Sequence, residues 1–183
     1  MRLLVLCVLG LAGAGAPLRA QQDPALGRWQ EELALELPLL GQRNWIVIAD
    51  AAYPWQTTPG TMTVVTNAEP IDVVRGVLAR LAKAPHVKPL IYTDAELADV
   101  PEEDARGVSA YRAALAETLG AGTEVRSRPH AQILADLQEA GKSFHVLVLK
   151  TKLTIPYSSV FIQLDSAYWN ADAEKRLRDA MAP

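Results

Sequence analysis

Residues 45–50, Trp-Ile-Val-Ile-Ala-Asp, constrain the fold more than any other part of the chain. A five-residue apolar run is too short for a buried helix and matches a strand covered on both faces. It ends in a carboxylate, and Pro54 breaks the regular structure four residues later. A buried strand of this kind carries an acid to the edge of a sheet. In open α/β sheets, ligands sit beyond the carboxyl ends of the strands. Asp50 is therefore a candidate catalytic acid or base, with Gln42 and Asn44 just upstream as candidate ligand contacts.

The remaining pattern alternates strands with helices. Leu26, Trp29, Leu33, Leu37 and Leu40 are spaced by three and four and predict a helix over 25–40 that leads into Gly41. Strands are expected at 44–49, 61–65, 87–93, 123–126, 144–149 and 160–164. Helices are expected after Asn67 as an N-cap, over 107–119, from Pro129 to Gly141, and over 171–181. This alternation predicts a single three-layer α/β/α sandwich around a mostly parallel or mixed sheet of about six strands. The acidic stretch Glu102-Glu103-Asp104 is expected to be a solvated surface.

The first twenty residues stand apart. Arg2, the apolar run 3–11 and the ending Leu18-Arg19-Ala20 have the form of a secretory signal, which leaves residues 21–183 as one exported domain, periplasmic or secreted. Taking Arg2 and Arg19 from the 18 basic side chains leaves 16 against 21 acidic ones, a formal charge of −5. That balance, with no basic stripe, argues against nucleic acid as a partner. No apolar segment of the mature chain suits membrane insertion. The single cysteine, Cys7, falls inside the signal, so the mature domain relies on no disulfide.

Three expected strands end in carboxylates: Asp50, Asp94 and Asp165. All three can line one edge of the sheet. Asp94 and Asp165 also suit the caps of following helices, whereas Asp50 is followed by a loop. His130 follows Pro129 at a helix start, where the dipole favours a neutral imidazole able to exchange protons. Tyr157 and Ser159, in the polar connection 150–159, offer hydroxyls to a polyol. No phosphate-binding glycine loop, Gly-x-Ser-x-Gly elbow or zinc cluster occurs in the sequence, so no cofactor or metal is expected.

Taken in order, these pieces resemble the D-ribose pyranase/L-fucose mutarotase family (RbsD/FucU). Its members carry Gly-His-x-Asp, an apolar strand, an aspartate and a proline four residues on. The corresponding residues here are Gly41-Gln42-Arg43-Asn44, Trp45–Ala49, Asp50 and Pro54. A histidine at a later helix start matches His130. Pro-Tyr-Ala-Asn before a final apolar strand matches Pro156-Tyr157-Ser158-Ser159. The resemblance spans about residues 25–170. It implies cofactor-free opening and reclosure of a monosaccharide ring, with Asp50 and His130 catalytic and Gln42, Asn44, Tyr157 and Ser159 holding the sugar. It also implies a homo-oligomer with sites shared between subunits. Glutamine has no titrating proton near neutral pH. Gln42 in place of the family histidine therefore supports an alternative, a non-catalytic carbohydrate-binding or scaffold protein on the same fold.

Overall fold

The structure, a computed structural model, describes residues 27–182; the expected signal segment lies outside them. Six strands form one sheet: β1 (Trp45–Ala49), β2 (Thr61–Val65), β3 (Val87–Asp94), β4 (Val125–Arg128), β5 (Val146–Lys150) and β6 (Val160–Ser166). Their spatial order is β2-β5-β1-β6-β3-β4. β6 runs antiparallel to both of its neighbours, β1 and β3. The other pairs, β1–β5, β2–β5 and β3–β4, are parallel. The sheet is mixed, and the sequence expectation of an α/β/α sandwich describes it.

Period-two alternation divides the strands between two cores. Ile46, Ile48, Leu147, Leu149, Ile91, Ile162 and Leu164 face one side. There they pack on α1 (Arg28–Glu36), α2 (Pro70–Leu81) and α3 (Val108–Leu119) through residues such as Leu33, Val74, Val77 and Leu115. Trp45, Val47, Val146, Val148, Tyr92 and Phe161 face the other side, against Ile133 and Leu137 of α4 (His130–Ala140). β1 lies between two strands with a core on each face, so all five of its residues are buried. The final helix, α5 (Ala171–Met181), has no buried residue.

Several boundaries differ from the sequence expectation, each for a local reason. α1 ends at Glu36; Leu37 keeps helical dihedrals (φ −54°, ψ −38°) and donates its N–H to Leu33 O, but Pro38 has no N–H to continue the ladder. Leu40 still reaches the core from the turn that follows. Asn67 does not cap α2: it adopts the left-handed conformation (φ 52°), and Glu69 takes the N-cap position with Pro70 as the first helical residue. β4 lies two residues later than expected, at Val125–Arg128, in register with Ile91–Asp94 of β3. Pro89 in β3 precedes that pairing, so its missing N–H interrupts no ladder with β4. Glu102 accepts the backbone N–H groups of Gly107 (2.5 Å) and Ser109 (2.9 Å) and so secures the entry to α3, while Glu103 and Asp104 are exposed.

Gly60 is where the β1–β2 connection meets the turn after α4. Its N–H donates to Gly141 O at 3.0 Å, and its carbonyl accepts Val146 N–H at 2.9 Å. A Cβ at this position would press into two backbone carbonyls, those of Phe144 and, at 2.6 Å, Gly141. Gly60→Ala should therefore destabilise the fold by about 1–3 kcal/mol, the usual cost of overpacking. In a chain of this length that is a fall in Tm of roughly 2–12 °C, measurable by differential scanning calorimetry. An unchanged Tm would mean that the junction is loose.

Candidate active site at the carboxyl edge of the sheet

The strand directions determine which side chains meet. β1, β3, β4 and β5 all end at one edge, and antiparallel β6 begins there. Val160, the first residue of β6, pairs with Ile48 on one side and Thr93 on the other. This brings Tyr157, Ser158 and Ser159 to the gap between Asp50 and Asp94. The backbones carrying the two acids are two strand spacings apart, roughly 10 Å.

His130 is held at this edge by two carboxylates. Its ring Nδ1 lies 3.0 Å from Asp94 Oδ1. Its backbone N–H is shared between the two oxygens of Glu96, at 3.1 and 3.0 Å. Pro129 occupies the N-cap of α4 and supplies no side-chain cap, so Glu96 satisfies that donor from 34 residues upstream. Asp94 occupies the N-cap position of the 3-10 turn 95–98 without making a side-chain cap, and gives its Oδ1 to the imidazole instead. The capping role expected for Asp94 is thereby corrected. The sequence signal for its actual role is weak: a strand-end carboxylate beside a strand that ends in Pro-His.

The dyad is asymmetric in burial. The Asp94 side chain is fully buried, while that of His130 is 30% exposed. Burial pushes the Asp94 carboxyl up to about 6; the His130 hydrogen bond opposes this, and Glu96 and Asp50 add to it. Asp94 Oδ2 is buried with no hydrogen-bond partner among the described residues. Such a group costs stability, and natural chains keep such groups mainly where function needs them. Since Nδ1 faces Asp94, the other ring nitrogen, Nε2, is the one that can act on a ligand.

Tyr157 completes this side. Its ring meets His130 edge-on at 5.5 Å between centroids. Its backbone is left-handed (φ 56°), which a bulky residue seldom adopts. The loop holds that shape because Tyr111 of α3 donates its hydroxyl to Ser158 O at 2.6 Å, and Ser158 Oγ donates to Ile155 O at 2.6 Å. Burial pushes the Tyr111 hydroxyl pKa upward, so it remains a donor.

Asp50 is held in place across the gap. Oδ1 accepts Ala52 N–H at 2.8 Å, closing an Asx turn, and Oδ2 accepts Ser159 Oγ–H at 3.1 Å. Ser159 Oγ also accepts Asp50 N–H at 3.3 Å. Ser159 is 1% exposed, so the sugar contact expected of it is corrected: its hydroxyl positions Asp50. Asp50 borders a cleft of about 350 Å³ that is also lined by Ala51, Ala52, Thr154, Ile155 and Pro156. Buried Tyr53, its hydroxyl pushed up to about 12 chiefly by burial, anchors the loop beyond Asp50 and accepts Lys150 Nζ on its carbonyl at 2.8 Å.

The other expected site residues lie elsewhere. Gln42 and Asn44 precede β1 and stand at the opposite edge from Asp50. Gln42 donates to Asp165 Oδ1 at 3.1 Å. Asn44 Oδ1 accepts Gly41 N–H at 2.6 Å, and its amide reaches His145 O at 3.4 Å, so it shapes the turn into β1. Asp165 is at that far edge because β6 runs antiparallel, and it pairs with Lys88 at 3.2 Å. The expectation that the three strand-end acids share one edge is corrected: two do. Among the described residues, no group of three His, Cys, Asp or Glu side chains could hold a metal, and no helix is long and apolar enough to cross a membrane.

No family model matches the chain, and no curated protein matches it. Solved structures that it resembles include RbsD of Bacillus subtilis complexed with D-ribose, at 21% identity and a TM-score of 0.47, covering 73% of this chain and 91% of that one. FucU of Bifidobacterium longum is 14% identical with a TM-score of 0.47, covering 74% and 94%. The fucose mutarotase of Streptococcus pneumoniae in complex with L-fucose is 16% identical with a TM-score of 0.49, covering 78% and 98%. These proteins bear the names of the family that the sequence motifs resemble.

The raised Asp94 pKa has a measurable consequence. Its folded value, about 6, exceeds its ordinary 3.8, so the folded state binds this proton more tightly. The resulting stability is full below the ordinary value and is lost as pH rises through about 6. Asp94→Asn lacks this titration. The Tm difference between variant and wild type should therefore shift in the variant's favour from about pH 4 to about pH 7. A difference that stays constant with pH would rule out the raised pKa.

Proposed function

We propose that the chain catalyses cofactor-free interconversion of monosaccharide ring forms or anomers at the carboxyl edge of the sheet. The observation that carries this reading is the buried Asp94 carboxylate hydrogen-bonded to a partly exposed His130 that abuts Tyr157, with Asp50 two strands away. Ring opening requires one group to take the proton of the anomeric hydroxyl and another to give one to the ring oxygen as the C1–O bond breaks. The imidazole of His130 takes the hydroxyl proton on Nε2, while Asp94 steadies the ring as a positioning residue. The Tyr157 phenol is the nearby donor for the ring oxygen. Asp50, fixed by Ser159, orients a sugar hydroxyl. Reclosure runs the same transfers backwards from the open-chain carbonyl, so no net proton or electron is consumed.

Gln42 bears on this reading differently from what the motif alone suggests. Within one chain it is at the far edge, so its lack of a titrating proton leaves the His130 dyad intact. Gln42 and Asn44 would meet the same sugar only from a second copy, and we propose a homo-oligomer on that ground together with the family resemblance. We also propose export to the periplasm or medium, on the strength of the Arg2-to-Ala20 segment.

Saturation-transfer NMR of anomeric exchange with ribose, fucose, galactose and glucose tests the reading. The protein should accelerate exchange of at least one sugar. His130→Ala and Asp50→Asn should each lower the rate by about 10²–10⁴, the usual contribution of a general acid or base. Acceleration that survives both changes would sink the site assignment. Binding without acceleration would favour the non-catalytic carbohydrate-binding alternative.

A further inference from the structure

We propose that two copies of this chain pair through the free side of β2, joining their sheets across a two-fold axis into one continuous sheet. β2 and β4 are the outermost strands, so each has one side of its backbone without a neighbouring strand. The two are finished differently. β4 has four residues and carries Arg126, paired with Glu124 at 2.8 Å, and Arg128, paired with Asp136 at 2.6 Å. Shortness and charge keep such a strand from pairing further. β2 reads Thr-Met-Thr-Val-Val, and no proline or charged residue occurs from 61 to 68.

The parallel ladder with β5 sets which backbone groups of β2 are free. Gly60 O accepts Val146 N–H at 2.9 Å at one end, and Thr66 N–H donates to Lys150 O at 2.9 Å at the other. Alternate residues of a parallel strand bond to the same neighbour. Met62 and Val64 therefore turn toward β5 with Gly60 and Thr66, while Thr61, Thr63 and Val65 turn N–H and C=O away from it. Thr58 O closes the Thr61 N–H at 2.9 Å. The N–H groups of Thr63 and Val65 have no such partner among the described residues.

Apolar side chains stand open beside this unpaired backbone. Arg28 and Glu32 of α1 border a groove of about 610 Å³ along residues 62–67. Leu35, seven residues after Arg28, and Leu39, seven after Glu32, continue the same flank of the helix and its following turn. They are 68% and 78% exposed, and Val65 is 59% exposed.

A second copy is the occupant that fits. With the strands antiparallel about Thr63, that residue meets its own counterpart and Thr61 meets Val65. These are neutral, β-branched pairs of the kind that stabilise sheets, and the strand sets no like charge opposite itself. Thr63 N–H and C=O exchange with those of the other copy, and each Val65 N–H meets a Thr61 C=O. The two α1 flanks come side by side and cover Leu35 and Leu39. A charged peptide finds no answering field, because Arg28 and Glu32 flank the groove with opposite signs. The contact is isologous and closes at two copies. It uses neither end of the strands, so it is separate from the shared sugar site proposed above, and the two contacts can coexist.

Sedimentation velocity and amide hydrogen exchange of the full-length chain, each over a range of protein concentration, test this. The Thr63 and Val65 amides should be protected at high concentration and exchange freely on dilution, in step with the loss of mass. Thr63→Pro removes an outward donor and leaves the β5 ladder intact, and Val65→Lys puts a charge into the contact. Each should weaken self-association by about tenfold. Leu35→Glu lies on an exposed helix flank and alters no strand, so the same loss in that variant is not a failure to fold. Wild-type association in all three variants would overturn the proposal, as would a chain that stays monomeric at every concentration. Thr63 and Val65 amides that remain unprotected in an oligomer, or that are protected equally in the monomer, would place the contact elsewhere and equally overturn it.

Discussion

The pairing of Val160 with Ile48 on one side and Thr93 on the other is the constraint from which the carboxyl-edge site follows. It seats β6 antiparallel between two strands that run the other way. The chain must therefore enter β6 at the edge where β1 and β3 leave the sheet. That entry loop is 157–159, and its residues fall between the two acids. A one-residue slip would reverse every side chain of β6, sending Phe161 out of its core and Ile162 away from the other. The hydrophobic cost of such a slip holds the register, and the register holds the site.

Around that frame, the site is an arrangement of carboxylates whose surroundings differ. Asp50 is partly open, accepts two hydrogen bonds and is clamped by Ser159. Asp94 is buried, half unsatisfied and raised toward neutrality. Glu96 is committed to the start of α4. Burial and hydrogen bonding thus set the three acids apart: Asp50 borders the cleft, Asp94 meets an imidazole, and Glu96 fixes that residue's backbone. The strained Tyr157 and the buried Tyr111 bond that supports its loop add rigidity on the fourth side.

The two edges of the sheet differ in chemistry. The carboxyl edge holds the buried Asp94 hydrogen-bonded to His130, with Asp50 across the gap. The far edge holds Gln42 on Asp165 Oδ1, the Asp165–Lys88 ion pair, and His86 with its Nε2 against the carbonyls of Leu37 and Leu40. Gln42 belongs to the second environment.

The strands, the helices and the α/β/α class were legible in the chain because apolar runs and three-to-four spacing report burial directly. Asp50, His130 and Tyr157 stood out as candidates because each sits at a strand or helix boundary, where side chains are delivered to an edge. The sequence could not show that Asp94 belongs with His130, 36 residues later, or that Glu96 caps the helix that Pro129 begins. Nor could it show that Ser159 would be buried under Asp50, or that Gln42 and Asp165 would share the opposite edge. Local periodicity records which face of an element is buried. It does not record the direction in which a strand enters the sheet or which distant strand lies beside it. Those follow from long-range pairing, and the tertiary structure alone decided them.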